Sequence, residues 1–144
     1  MKVQLTKIQE KLNTVKFGEY REQANTYLKD KRFQEALEYY DNCLRITRKA
    51  TTLDNVAIYV NKIACLLSLE KFNNVVVESN DALRLIKNYK NRQDGKHSGD
   101  DLKRIQNMEL RLAVRKGNAL AKLNKVTDAI SAYQQALKID PTNA

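Results

Sequence analysis

The sequence predicts an all-α domain, and three observations carry the prediction. Leu, Ala, Lys, Asn, Glu and Gln recur at helical spacings along the whole chain. One Pro and four Gly among 144 residues are too few turn-formers for a many-stranded sandwich or barrel. One arrangement of small and bulky residues returns three times, the mark of a tandem array of helical pairs. The length suits a single domain, 1–144, able to bury about two thirds of the surface its unfolded chain exposes.

The first element expected is a helical extension over 3–16, where Leu5, Ile8, Leu12 and Val15 share a helical spacing and should pack against the first repeat unit. That unit, a helical pair, spans about 17–50, with Ala24, Tyr27, Phe33, Ala36 and Cys43 as its packing positions. A short connection comes next, with Thr52 or Asp54 placed to cap the helix after it. The second pair, about 56–89, sets Ile63, Leu66, Phe72, Val75 and Ala82 at the matching positions. A longer insertion then carries Leu83, Ile86 and Tyr89 before its Gly/Asp/Ser centre, and Leu102, Ile105 and Met108 after it. That pattern predicts two lengthened helices joined by a loop at about 93–100, with Asp100 as the cap of the second. The third pair, about 110–143, uses Gly117, Leu120, Val126, Ala129 and Ala136 before Pro141 ends it. In all three units the steps between these positions are three, six, three and seven residues.

These are the positions by which a tetratricopeptide repeat is known, and the chain resembles three tandem repeats of that family. The resemblance implies helix-turn-helix pairs stacked into a superhelix. Small residues let paired helices approach, while aromatic and Leu positions fill the space between pairs. The second copy departs from the pattern, with Val75 where Ala is usual and Ser79 where an aromatic is usual, so looser or locally adjusted packing is expected there. The end, Asp140-Pro141-Thr142-Asn143-Ala144, is not the polar closing helix such arrays normally carry. Either the chain is a piece of a longer protein, or the face of the last repeat meets a partner.

Catalysis is not expected. Cys43 and Cys65 each sit in an apolar helical pattern, where a small thiol behaves as a hydrophobe. The single His, His97, lies in the polar segment 94–100, so neither a nucleophile–base set nor a metal cluster can be assembled, and no Gly-rich phosphate loop is present. No cofactor or metal is therefore expected. With no stretch of 18 consecutive apolar residues and no apolar signal core after Met1, a membrane span is not expected either, and reduced thiols fit a cytoplasmic location.

Lys and Arg outnumber Asp and Glu by 26 to 17, a net charge of +9, which favours an acidic partner. In each repeat the first helix should line the concave side, with residues one position beyond the core stripe pointing into the groove. Those residues are Arg21 and Asn25 from the first repeat, Asn61 from the second, and Arg111 and Arg115 from the third. Arg21/Asn25 and Arg111/Arg115 are each spaced i, i+4 and so share a helix face. Arg grips a carboxylate with a planar fork, and Asn donates to the same oxygens without adding charge. Two carboxylates close together, as at a peptide ending in Asp, would suit such a set.

Position by position, the set resembles the dicarboxylate clamp of co-chaperone tetratricopeptide domains. That clamp holds the Glu-Glu-Val-Asp tails of the cytosolic heat-shock chaperones Hsp70 and Hsp90. The one departure is Arg21, where the family usually has Lys. The resemblance also implies that Leu28, Ala64 and Leu67 line a pocket for the apolar residue just inside the tail. The stretch 59–72, the long insertion and the ending 136–143 look like the C-terminal domains of dynein arm preassembly factors. That likeness implies a co-chaperone role in axonemal dynein assembly, with other assembly factors as further partners. Two other readings stand beside it: an adaptor whose groove takes an internal peptide or folded partner, and a nucleic-acid-binding domain using a ridge at Arg84, Lys87, Lys90 and Arg92. No nucleic-acid motif accompanies that ridge, so nucleic acid is the weaker expectation.

Overall fold

Hydrophobic periodicity that changes phase at short polar breaks produces six helices among the described residues. The structure, a computed structural model, describes residues 2–47, 52–92 and 97–141. Helices α1 (Lys2–Lys29) and α2 (Phe33–Ile46) form the first antiparallel pair, α3 (Leu53–Ser68) and α4 (Phe72–Lys90) the second, α5 (Gly99–Lys122) and α6 (Val126–Ile139) the third. Each helix packs on the next, and α3 also packs on α5, so the first helices of the second and third pairs stand side by side. The architecture is all-helical, tandem helix-turn-helix pairs, and the helices flanking the long insertion are lengthened.

The three tight turns repeat one geometry. Lys31, Glu70 and Asn124 occupy the same place in each unit and all take the left-handed conformation, with φ of 61°, 59° and 61°. That conformation lets the next backbone N–H fold back on the helix: Arg32 donates to the Tyr27 carbonyl, Lys71 to Leu66 and Lys125 to Leu120, at 2.8–2.9 Å. Elsewhere side chains cap the helices. Thr52 caps α3, its side chain accepting from the Asn55 N–H at 3.2 Å. On α5 the cap is Ser98, not Asp100: Ser98 Oγ accepts from the Asp101 N–H at 3.0 Å. Asp100 and Asp101 fall in the first turn, where their charge complements the helix dipole. Gly99 and Asp100 are thus helical. The rest of the expected loop includes 93–96, and the expected repeat ends include 48–50 and 142–143; all of these lie outside the described residues.

Most of the positions read from the spacing are buried, but Val126, at the start of α6, is 64% exposed and is corrected as a packing position. Ala24, Ala36, Cys43, Ile63, Val75 and Ala82 are fully buried, and so are Tyr40, Val56 and Leu112 between the pairs. Tyr39 stacks on Tyr27 at 5.6 Å and tilts against Tyr20 at 6.1 Å, filling the edge of the first pair.

The second repeat accommodates its unusual residues by moving bulk from one helix to the other. In the third repeat a Cβ on Gly117 would come within 2.6 Å of the Tyr133 ring, so glycine is what admits the tyrosine. The equivalent positions of the second repeat hold Ile63 and Ser79, both fully buried: the large side chain is on the first helix and the small one on the second. Packing there is adjusted and not loosened, although the Ser79 hydroxyl is left without a hydrogen-bond partner.

The N-terminal extension is corrected as well. The segment 3–16 is helical, but it does not pack back on the first repeat. It continues α1 as a single helix, and Leu5, Ile8, Leu12 and Val15 are 65%, 62%, 43% and 57% exposed. Their helical spacing is legible in the sequence, but the face they share is not the one that α2 covers.

Candidate functional site

The candidate site runs across α1, α3 and α5, the first helices of the three pairs. Asn25 on α1 sits at its centre. Its Oδ1 accepts from the Tyr40 hydroxyl at 2.5 Å and from Asn61 Nδ2 on α3 at 3.5 Å. With its oxygen occupied, Asn25 has only N–H donors left to offer, which suits an anion. Burial pushes the Tyr40 hydroxyl far above its ordinary pKa and keeps it a donor to this amide.

Arg111 and Arg115 approach from α5. Arg115 is half-buried and donates through Nη1 to the Val60 carbonyl at 2.7 Å, which fixes its guanidinium beside Asn61. Burial lowers its pKa, and the neighbouring charge of Arg111 lowers it further. Two guanidiniums held this close repel each other, and an anion between them would relieve that repulsion. Arg111 is exposed and lines, with Asn61, Ala57, Val60 and Arg104, a cleft of about 220 Å³. At the other end, Arg21 lies over the Phe17 ring at 5.3 Å and borders a shallow groove with Asn25.

Asn25 is thus hydrogen-bonded to Asn61, Asn61 shares a cleft with Arg111, and Arg115 is tied to the residue before Asn61, while Arg21 borders a separate groove with Asn25. Among the described residues no carboxylate pairs with Arg21, Arg111 or Arg115. Lys62, next to Asn61, is different: Asp41 at 2.7 Å and Glu78 both hold it, so its charge is already neutralised. The two cysteines lie behind this surface as free, buried thiols. Burial pushes each up to about 11, against a smaller opposing pull from Arg21 on Cys43 and from Arg115 on Cys65.

The apolar candidates are less unified. Leu28, Ala64 and Leu67 are all half-buried. Leu67 borders a hollow of about 500 Å³ together with Phe72, Asn118, Lys122 and Tyr133, whereas Leu28 and Ala64 are not among its lining residues. Sequence reasoning does not reach Arg104 and Asn107, which line the Arg111 cleft from two turns and one turn earlier on α5. They precede the repeat motif, and only their spacing of seven and four residues from Arg111 points to them. The basic ridge along α4 and just past its end is largely engaged: Arg84 pairs with Asp81 at 3.2 Å, Lys90 with Glu109 at 2.7 Å, and Arg92 lies over the Tyr89 ring at 5.2 Å.

Comparison with known proteins agrees with the architecture. Tetratricopeptide repeat models match residues 24–51 and 114–143. The chain is 25% identical over 123 residues to dynein axonemal assembly factor 4 of Rattus norvegicus, covering 85% of this chain and 25% of that protein. It is 35% identical over 69 residues to sperm-associated antigen 1 of the same species, covering 48% of this chain and 7% of that protein. The chain thus spans a quarter or less of the length of these curated relatives. Among solved structures, the Arabidopsis OM64 TPR domain aligns with a TM-score of 0.67 at 20% identity, over 91% of this chain and 88% of that one. The N-terminal domain of stress-induced protein-1 from C. elegans aligns with a TM-score of 0.68 at 19% identity, over 89% and 87%. At such identities these two likenesses speak for the fold.

Proposed function

We propose that this domain of tandem tetratricopeptide repeats is a non-catalytic interaction module that binds the acidic C-terminal tail of Hsp70 or Hsp90 through a dicarboxylate clamp. Arg21, Asn25, Asn61, Arg111 and Arg115 form the clamp, and the domain serves a cytoplasmic co-chaperone. One observation supports the reading: Asn25, Asn61, Arg111 and Arg115 come from three neighbouring helices, with Asn25 and Asn61 hydrogen-bonded and Asn61 and Arg111 lining one cleft, and among the described residues no carboxylate of the domain pairs with either arginine. A doubly negative chain end supplies what that set lacks. Leu67 and the hollow beside it take the apolar residue inside the tail. Leu28 and Ala64 belong to the pocket by family position. The likeness to dynein axonemal assembly factor 4 supports a place for the co-chaperone in axonemal dynein preassembly, alongside other assembly factors.

The test is a titration with a short peptide ending in Met-Glu-Glu-Val-Asp, as the free acid and as the C-terminal amide. The clamp requires micromolar affinity for the acid, about −8 kcal/mol, and loss of most of it on amidation. Equal binding of acid and amide would assign the groove to internal peptides instead. Binding of duplex or single-stranded nucleic acid that falls steeply with salt would assign the positive charge to phosphates.

A further inference from the structure

Leu5, Ile8, Leu12 and Val15 on α1 are spaced three, four and three residues apart, the a/d spacing of a coiled-coil seam. All four are exposed although they sit in a continuous helix. Their direction shows that no part of the array covers them. At about 100° per residue, the seam is centred about 120° around the helix from Phe17, Tyr20, Ala24 and Tyr27, the face that packs on the first repeat. It lies about 140° from Arg21 and Asn25, the face of the candidate groove. Helix α1 thus carries three separate faces, one buried in the array, one in the groove and one unpartnered.

The edges of the seam say what it fits. Gln4 and Lys11 occupy the g positions and Gln9 and Lys16 the e positions, all exposed, while Glu10, the one acidic residue of 4–16, points to the opposite side. A second copy of the chain is a poor match. Parallel pairing would set Lys11 against Lys16 of the other helix, and antiparallel pairing would set lysines only against glutamines. A bilayer surface is also poorly served, because a seam of four residues without an aromatic is narrower than the apolar face of an interfacial helix.

We propose that residues 4–16 dock an amphipathic helix of another protein, apolar at its a and d positions and acidic at its e and g positions, in a short two-stranded coiled coil. This contact is independent of the groove and leaves it open.

The test uses the whole domain and a helix-stapled two-heptad peptide with Leu at a and d and Glu at e and g, titrated by fluorescence anisotropy. The expected result is a dissociation constant of tens of micromolar, and binding at least about tenfold weaker for the same peptide with Lys at e and g. Ile8→Gln with Leu12→Gln should remove Glu-peptide binding while leaving the circular dichroism, the melting temperature and the affinity for the chaperone tail unchanged. No binding of the Glu peptide, or equal binding of the Glu and Lys peptides, would overturn the proposal. So would a monomer–dimer equilibrium in sedimentation, or co-sedimentation with anionic lipid vesicles, if the same double substitution abolished it. Loss of tail binding by amidation or groove mutation bears on the other site and leaves this one standing.

Discussion

Arg115 of α5 donates to the backbone carbonyl of Val60 on α3 at 2.7 Å, one residue before Asn61. A residue proposed to hold a ligand is at the same time a strut between two helical pairs.

Arg115 and Arg111 should therefore differ on truncation. Arg115→Ala is expected to cost about 1.5–3 kcal/mol of tail binding through loss of a charge-assisted contact. It should also lower the melting temperature, because the bond tying α5 to the Val60 carbonyl of α3 is lost. Arg111→Ala removes an exposed side chain and should weaken the tail to a similar degree with stability changed by no more than about 0.5 kcal/mol. Peptide titration and thermal unfolding of the two variants, side by side, check this.

Gly117→Ala should destabilise the domain by about 1–3 kcal/mol, since its Cβ would fall 2.6 Å from the Tyr133 ring. In a Tyr133→Ser background, which copies the arrangement of the second repeat, the same substitution should cost little or nothing. A double-mutant cycle in urea measures the coupling.

Ser79→Ala should stabilise. The hydroxyl is fully buried with no partner, so its removal ends a desolvation penalty with almost no change of volume. A gain of about 1 kcal/mol is expected, read as a higher urea midpoint at unchanged slope.

Alkaline pH should unfold the domain earlier than its salt bridges suggest. Cys43 and Cys65 rise from 9.0 to about 11 on folding, so between those values the folded chain keeps protons that the unfolded chain gives up. Their contribution is complete below about pH 9 and is lost as pH climbs to about 11. Tyr40, also raised by burial, adds to the slope above pH 10. Unfolding free energies from pH 8 to 11 should fall more steeply in the wild-type chain than in a Cys43→Ala, Cys65→Ala double variant.

The repeats are legible because each needs a small residue where helices cross and a bulky one between pairs, and that demand sets spacing without regard to the rest. Ile63 and Ser79, each odd alone, make sense only together, and their pairing requires knowing which helix faces which. The seam at Leu5–Val15 shows the limit of periodicity: it marks a face as apolar without saying what covers it. Asp100 resembles a cap because an acidic residue after glycine suits one, yet Ser98 starts the helix earlier and leaves the carboxylates to the dipole. Within the candidate site, residue types and positions can be read directly. The bond from Tyr40 that commits the Asn25 oxygen cannot, because it joins helices through geometry the repeat pattern does not encode.

The exchange of bulk between Ile63 and Ser79, and its reverse between Gly117 and Tyr133, constrains how such a chain can be shuffled. A lone helix exchanged between the second unit and the third would bring two large side chains to the same spot or leave a void there. A whole hairpin carries its own complement, so for the second unit the hairpin is the smallest piece that evolution or an engineer can transplant.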